Sequence, residues 1–242
     1  MPFSYFSPSV VLKPYVQCFW ILEGGSSIED VLYPDGCVDI IANLGKQLMV
    51  REKGVLLEPD CVYLGGAITE AIYQYVPMGV RLLGVRFQPG CYEYFYKPET
   101  LADIKDDCIR VANAMLPPLE YLKENPLAAL NIFFASRIKS FDNRIKAAID
   151  MIIKNRGNTN LSTIAEHCCK SPRQTERIFK RTVGLTPKQF CNMIQFSNLQ
   201  KLLFTKTPNE TLLGVALDAG YYDHAHLTKT YKKITRHHPS RK

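Results

Sequence analysis

Residues 171–190 read SPRQTERIFKRTVGLTPKQF, and this stretch decides the fold of the C-terminal part of the chain. Ser171 is a favourable helix N-cap, and Pro172 stands at the first helical position, where its missing N–H costs nothing. Basic and amide side chains follow, while Ile178 and Phe179 are spaced to face a core. The stretch therefore predicts a short amphipathic helix with a polar, mostly basic outer face.

The same pattern recurs 51–52 residues further along the chain. Each copy consists of a short apolar-faced helix, a tight turn and a basic amphipathic helix. In the second copy we expect Gly220 to form the turn, Asp223 to cap the helix, and Leu227 and Tyr231 to form its buried stripe. The matched residues are Leu161 with Leu212, Ile164 with Val215, Ala165 with Ala216, Arg177 with Lys229, Phe179 with Tyr231, and Pro187 with Pro239.

Two helices joined by a short turn, with basic and amide side chains on the second, form the pattern of a helix-turn-helix. The second helix of this motif enters the major groove of DNA. There Arg can make two hydrogen bonds to a guanine, and Gln two to an adenine. One such match is weak because many helical hairpins look alike. Two in tandem are specific, and they predict a domain that reads DNA.

The charge distribution agrees with that prediction. Residues 1–140 hold 12 Lys and Arg against 16 Asp and Glu, whereas residues 141–242 hold 18 against 7, a net charge of +11. Such a basic segment needs a polyanionic partner, either nucleic acid or an anionic membrane surface. The membrane is disfavoured because the basic residues are spread over two helices without the exposed apolar face that interfacial binding needs.

The N-terminal part has a different pattern, first of strands and then of helices. Short segments rich in β-branched and aromatic residues alternate with Gly and Pro, which predicts a small antiparallel barrel or sandwich. A helical pattern follows from about Leu116 to Lys139. The fold class is therefore α+β with two domains, residues 1–139 and 140–242. The expected strands are residues 17–22, 38–44, 61–64, 72–76 and 82–87.

Nothing in residues 1–140 favours catalysis. All five histidines lie beyond this segment, which excludes a His-ligated metal site or a His general base from it. Asp35 and Asp39 could form an acid/base pair, but a turn and a strand start explain them better. The eight cysteines lack metal-ligand spacing and are expected as reduced thiols. We expect a cytoplasmic protein with no enzymatic activity, no metal and no cofactor.

The C-terminal part resembles the DNA-binding domain of the AraC/XylS family of bacterial transcription regulators. The resemblance implies seven helices, with two helix-turn-helix units joined by a long linker helix over about residues 187–205. This sequence departs from the family pattern at four places. Cys169 replaces a usual turn Gly, Thr175 a usual Leu and Gln195 a common Arg. Residues 236–239 read RHHP, where Gly-x-x-Pro is usual. The matching residues are 171–173, 177–180, 183–190, Ala216, Gly220, Tyr221, Leu227, Tyr231 and Lys232.

The resemblance also implies which residues contact DNA. The family's first recognition helix contacts bases from positions matching Arg173, Glu176 and Arg177, and the second from positions matching His224, Ala225, Thr228 and Lys229. Glu176 could accept from a cytosine or pair with Lys180. The full set of candidate DNA-binding residues is Ser171, Arg173, Gln174, Glu176, Arg177, Lys180, Arg181, Tyr222, His224, Ala225, Thr228, Lys229 and Lys232.

The N-terminal part resembles a β-rich domain of unassigned function found ahead of such DNA-binding domains, through residues 15–16, 19–20, 33–40 and 84–90. The resemblance implies an effector-binding or dimerisation role. Aromatic residues could line a cavity in which Arg81 or Arg86 orients an anionic group, or they could simply fill the core. The candidate ligand-binding residues are Trp20, Tyr33, Tyr63, Tyr73, Tyr75, Arg81 and Arg86.

The sequence thus predicts a transcription regulator whose partner is double-stranded DNA. RNA polymerase, a small-molecule effector and a second copy of the chain are further candidate partners. The alternative is a small-molecule sensor or enzyme in which DNA binding is secondary. One form of it is a Cys-based methyl acceptor like the adaptive alkylation-response proteins, whose four clustered ligand cysteines this sequence lacks.

Overall fold

The computed structural model describes residues 3–24, 28–50, 54–97, 100–140, 142–205 and 211–239 of the 242-residue chain. An N-terminal antiparallel-sheet domain precedes a C-terminal helical domain, which confirms the predicted fold class. No helix in these ranges is long and apolar enough to cross a membrane. The strands are β1 (Phe3–Phe6), β2 (Val16–Glu23), β3 (Ile28–Leu32), β4 (Val38–Asn43), β5 (Leu48–Val50), β6 (Val55–Leu57), β7 (Cys61–Gly65), β8 (Ile72–Val76), β9 (Arg81–Phe87) and β10 (Cys108–Val111).

Six strands form one sheet in the order β1-β2-β9-β4-β7-β10, while β3 pairs with β8 and β5 with β6. All of these pairings are antiparallel. The register places Asp39 of β4 beside Arg86 of β9, and Trp20 of β2 beside Gly84 of β9. One face of the sheet packs on the helices that follow it, through Phe87 and Phe134, whose ring centroids lie 5.7 Å apart.

The five strands expected from the sequence are confirmed, and the remaining five were missed. The missed β5 and β6 contain three residues each, too few to show an alternating pattern. Strand β3 has the sequence IEDVL, in which two adjacent acids hide the strand signal. Short 3₁₀ turns at Tyr92–Tyr94, Leu101–Ile104 and Asn113–Met115 complete the N-terminal domain, together with helices α1 (Leu119–Glu124) and α2 (Pro126–Ala135).

The C-terminal domain contains the two expected helix-turn-helix units. Helices α4 and α5 form the first, α7 and α8 the second, and the 19-residue α6 joins them. Six α-helices fall within the described part of residues 144–239, one fewer than the seven that the family resemblance implies. The helices are α3 (Arg144–Lys154), α4 (Leu161–His167), α5 (Pro172–Thr182), α6 (Pro187–Thr205), α7 (Leu212–Asp218) and α8 (His224–Thr235).

The two domains contact each other at the end of α8. The Ala71 N–H donates to the Ile234 carbonyl at 2.7 Å, and the Tyr73 hydroxyl donates to the Thr235 carbonyl at 2.7 Å. The Arg236 guanidinium lies 3.2 Å from a Glu70 carboxylate oxygen. We call this set of contacts between residues 70–73 and 234–236 the β8–α8 joint.

A second contact brings the N-terminal domain against the linker helix. Gly36 has a φ of +75°, and a Cβ on it would lie 2.6 Å from the Met193 Cε and 2.7 Å from the Phe190 ring, both on α6. Glycine suits this position, because a Cβ would displace the Met193 and Phe190 side chains and the left-handed φ would strain another residue. Nearby, the Tyr33 ring packs on the Phe196 ring at 6.1 Å.

The two departures from family glycines both adopt left-handed backbone. Cys169, in the turn of the first unit, has a φ of 52°, and Arg236, after α8, has a φ of 61°. Left-handed backbone costs an L-residue with a Cβ roughly 1–2 kcal/mol that glycine does not incur. Cys169 is exposed, so its side chain offers little burial in return.

Replacing Cys169 with glycine should therefore stabilise the protein. We expect Cys169→Gly to raise the free energy of unfolding by about 0.5–1 kcal/mol, because relief of the left-handed strain exceeds the added freedom of the unfolded chain. Cys169→Ala is the matched control, since it removes the same thiol and keeps the Cβ. Urea unfolding followed by far-UV circular dichroism measures both, and equal stability of the two variants would contradict the strain argument.

Candidate nucleic-acid interface

Helix α5 begins with a complete capping box that uses two of the candidate DNA-binding residues. The Ser171 hydroxyl accepts from the Gln174 backbone N–H at 3.3 Å, and the Gln174 Oε1 accepts from the Ser171 backbone N–H at 3.1 Å. The cap satisfies donors that the first helical turn otherwise leaves unpaired. It also occupies the Gln174 carbonyl, so this side chain could read adenine through two bonds only by opening the cap.

The exposed face of α5 carries Arg173, Glu176, Arg177 and Lys180. Arg173 and Arg177 are four residues apart and therefore lie on one face of the helix. Glu176 and Lys180 are both exposed, and no ion pair joins them among the described residues. Glu176 is thus open to accept a hydrogen bond from a partner outside the chain.

Arg181 differs from the other basic residues of α5 because it faces the N-terminal domain. Its Nη2 lies 3.5 Å from the Glu93 carboxylate. Glu93 is 6% exposed, and burial raises its pKa, while the positive charge of Arg181 opposes that rise. The Thr100 hydroxyl also donates to the Lys180 carbonyl at 3.4 Å. This edge of α5 is therefore part of the contact between the domains.

The second recognition helix, α8, also presents its candidate residues to solvent. Its N-cap, Asp223, accepts from the His226 N–H at 2.6 Å, as the sequence predicts. Thr228 is half-buried, with its hydroxyl 3.4 Å from the His224 Nδ1. The other candidates on or beside this helix are exposed, namely Tyr222, His224, Ala225, Lys229 and Lys232.

Helix α6 packs against both recognition helices through aromatic side chains. Phe190 lies 6.3 Å from Phe179 of α5, and Phe196 lies 5.7 Å from Tyr231 of α8, measured between ring centroids. Between them, the Gln195 amide nitrogen donates to the Asn158 side chain at 2.7 Å. At about 1.5 Å per residue, the 19 residues of α6 span about 28 Å, close to the ~34 Å between successive major grooves on one face of DNA.

The N-terminal domain contains a cavity of about 260 Å³ beside its sheet. Of the candidate ligand-binding residues, Trp20, Tyr33 and Arg86 line it. This volume lies just below the ~300–1,000 Å³ of pockets for drug-sized ligands, so the cavity suits a smaller molecule. Its apolar walls are formed by Phe3, Tyr5, Trp20, Leu22, Val31, Leu32, Tyr33, Ile41, Leu48, Val50, Leu57, Ile68, Ile72 and Leu82.

The other four candidates lie elsewhere. Tyr63 is a core residue whose hydroxyl accepts from the Glu58 N–H at 2.7 Å. Tyr73 belongs to the β8–α8 joint, Tyr75 is 59% exposed, and Arg81 pairs with Glu23 at 3.0 Å. The structure therefore brings together three of the seven residues at one cavity and places the rest outside its lining.

Two carboxylates that sequence analysis assigned to a turn and a strand start also line this cavity. The Asp39 carboxylate accepts from the Trp20 Nε1 at 2.7 Å and from the Arg86 Nε at 3.1 Å. The Asp35 carboxylate lies 3.0 Å from the Arg86 Nη1 and accepts from the Cys37 N–H at 2.9 Å. Asp35 and Asp39 therefore hold one guanidinium between them.

The protonation behaviour of this group follows from its depth. Burial raises the pKa of Asp35, and Arg86 partly opposes the rise. Burial disfavours the charged Arg86, but Asp39 and Asp35 outweigh it and raise the pKa of the guanidinium. Burial also raises the pKa of the Cys37 thiol well above its usual range. Arg86 therefore stays charged, and Cys37 is not a thiolate nucleophile.

Comparison with known proteins finds a family match in each part of the chain. Residues 4–110 match a domain of unknown function, DUF6597, and residues 164–242 match a helix-turn-helix domain. The arabinose operon regulatory protein of Escherichia coli K12 is 25% identical over 101 residues, which cover 41% of this chain and 34% of that protein. The HTH-type transcriptional regulator MtrA of Neisseria gonorrhoeae is 36% identical over 95 residues, which cover 38% of this chain and 30% of that protein.

Among solved structures, ToxT from Vibrio cholerae O395 aligns with a TM-score of 0.47 and 10% identity, covering 99% of this chain and 96% of that one. The chain spans about a third of the length of the two curated relatives described above. The two family matches and the tandem helix-turn-helix geometry agree. The chain is therefore similar to DUF6597 over residues 4–110 and to a helix-turn-helix domain over residues 164–242, the latter shared with transcriptional regulators.

Proposed function

We propose that this protein is a sequence-specific DNA-binding transcription regulator that reads two successive major grooves with α5 and α8. The observation that carries the proposal is the pair of exposed, polar recognition helices packed on one linker helix of matching length. The regulator names of the relatives support it. Since DNA is the partner, the proposed place of action is the cytoplasm, and no enzymatic step is proposed.

Within this proposal, residues 140–242 bind DNA and residues 1–139 receive a signal. The cavity beside Trp20 supports a small-molecule effector. Contacts of the N-terminal domain with α8 and α6 would couple effector binding to the recognition helices. RNA polymerase is a proposed partner because a regulator must act on transcription. Pairing with a second copy of the chain is a further proposal, which analytical ultracentrifugation of the full chain would test.

The two recognition helices should each contribute base contacts. We expect Arg177→Ala and Lys229→Ala each to weaken binding to a selected duplex by roughly 1–3 kcal/mol, with a smaller loss on random DNA. The site is first obtained by selecting bound duplexes from a random pool, and affinities are then measured by fluorescence anisotropy at fixed salt. Arg110→Ala, which removes an exposed charge from β10, is the matched control. Equal losses on selected and random duplexes would mean phosphate contacts only.

A single chain should read an asymmetric site spanning about two turns of DNA. The two recognition helices belong to one chain and differ in sequence, so no palindrome is needed, and the half-elements should lie about 10 bp apart. Inserting about 5 bp between them would turn one half-element to the opposite face of the duplex, and affinity should fall towards the non-specific level.

The control duplex carries the same insertion outside the two half-elements and should bind as tightly as the original. Gel-shift titration measures all three duplexes. Unchanged affinity for the internal insertion would show that only one unit enters DNA, and it would count against the tandem reading proposed here.

A further inference from the structure

The charged groups that line the cavity do not balance. The carboxylates of Asp35 and Asp39 contact one guanidinium, that of Arg86, and Asp107 is a further acidic residue of the lining. Arg86 already spans Asp35 and Asp39 at 3.0 and 3.1 Å, so its charge is neutralised within the wall. An anionic ligand would meet surplus negative charge and no unpaired cation among the lining residues. The electrostatics of the cavity therefore favour a positive ligand.

Of the two carboxylates that hold Arg86, Asp35 has more capacity left for a new hydrogen-bond donor than Asp39. An ionised carboxylate accepts about four hydrogen bonds. Asp39 accepts from the Trp20 indole and from both the Nε and the Nη2 of Arg86. Asp35 accepts from the Cys37 N–H and contacts one Arg86 nitrogen, and 35% of its side-chain surface is still accessible. A donor inside the cavity could reach it without breaking an existing bond.

Aromatic rings form the wall beside these carboxylates. Phe3, Tyr5, Trp20 and Tyr33 all line the cavity, with Phe3 stacked on Tyr5 at 5.9 Å and set edge-on to Trp20 at 5.6 Å. Aromatic faces attract ammonium and amidinium groups, and the attraction grows when both are shielded from water. The combination of rings and surplus carboxylate is the kind that recognises organic cations.

One further lining group needs a partner. The Gln74 side-chain nitrogen is buried without a hydrogen-bond partner among the described residues, and Gln74 lines the cavity. An unpaired buried donor costs about 1–3 kcal/mol, and only a hydrogen-bond acceptor would remove that cost. A cationic group supplies no acceptor, so Gln74 indicates an occupant whose body carries an acceptor apart from its positive group.

We propose that the cavity binds a small organic cation, an ammonium or amidinium group on a largely apolar body that also carries a hydrogen-bond acceptor, with Asp35 as the carboxylate that receives the positive group. This proposal rests on the proposed effector role of residues 1–139 and adds the chemical class of the effector. A molecule of this class would fit a 260 Å³ space, place its charge at Asp35 and pack its body on the aromatic and aliphatic walls.

The location of the cavity gives such a ligand contact with both segments that touch the helical domain. Tyr33 lines the cavity and packs on Phe196 of α6. Ile72 and Gln74 also line it, and they flank Tyr73 of the β8–α8 joint. A cation at Asp35 would therefore lie against the turn that contacts α6 and the strand that contacts α8.

The test uses the full chain and three probes of similar size and different charge: phenethylamine, 2-phenylethanol and phenylacetate. Trp20 is the only tryptophan in the sequence and lies in the cavity wall, so its fluorescence reports binding there. We expect a saturable change with phenethylamine at an affinity at least about tenfold above that for 2-phenylethanol, since a hydrogen bond to a charged group exceeds a neutral one. Phenylacetate should bind most weakly.

Asp35→Asn should lower the affinity for phenethylamine about tenfold and leave that for 2-phenylethanol little changed, because the amide keeps an acceptor for the Cys37 N–H and Asp39 still holds Arg86. Glu23→Gln, on the same sheet and outside the cavity lining, is the control and should change neither. The probe comparison on the unmodified chain stands even if the variant fails to fold.

The inference is overturned if no probe gives a saturable signal in the millimolar range. It also fails if the alcohol or the acid binds as tightly as the amine, or if folded Asp35→Asn binds the amine unchanged. The fluorescence measurement contains no DNA. Its failure would therefore leave the proposed regulator function intact, and a failure of DNA binding would leave the fluorescence result intact.

Discussion

The β8–α8 joint ties the second helix-turn-helix unit directly to the N-terminal domain. It consists of a backbone hydrogen bond from Ala71 to Ile234, a hydroxyl bond from Tyr73 to Thr235 and an exposed ion pair between Glu70 and Arg236. Each hydrogen bond contributes about 0.5–1.5 kcal/mol net, and an exposed pair adds at most about 1 kcal/mol. The joint is thus worth a few kcal/mol, enough to hold the second unit and small enough for a ligand with a differential affinity to open or reinforce it.

Arg236 shows how a local departure from the family pattern serves that joint. The backbone after α8 is left-handed, which favours glycine, yet this chain has arginine there with a φ of 61°. The strain of about 1–2 kcal/mol is offset in part because the side chain reaches Glu70 on the N-terminal domain. Glycine at this position would relax the backbone and remove the charge from the joint. The RHHP departure is visible in the sequence, but its partner Glu70 lies 166 positions away in the chain, so only the fold brings the two together.

Features that depend on neighbouring residues could be predicted from the sequence, whereas contacts between residues far apart in the chain could not. The capped helix at Ser171, its repeat and the strands rich in β-branched residues follow from short-range patterns. The pairing of Arg86 does not, because it depends on the register that sets Asp39 beside it across β4 and β9. Alternation along β8 implies that Tyr73 and Tyr75 share one face and Gln74 the other, but only the fold shows that the Gln74 face lines the cavity.

Helix α6 contacts both recognition helices and the N-terminal domain. Its side chains Phe190 and Phe196 pack on the two recognition helices, and the same two rings meet Gly36 and Tyr33 of the N-terminal domain. The orientation of one unit relative to the other is therefore set by contacts from outside the helical domain as well as by α6 itself. Packed interiors do not deform continuously, so a shift of residues 33–36 must be met by repacking of these aromatic rings. Because Phe190 contacts α5 and Phe196 contacts α8, repacking at one ring and not at the other would change the spacing between the two recognition helices.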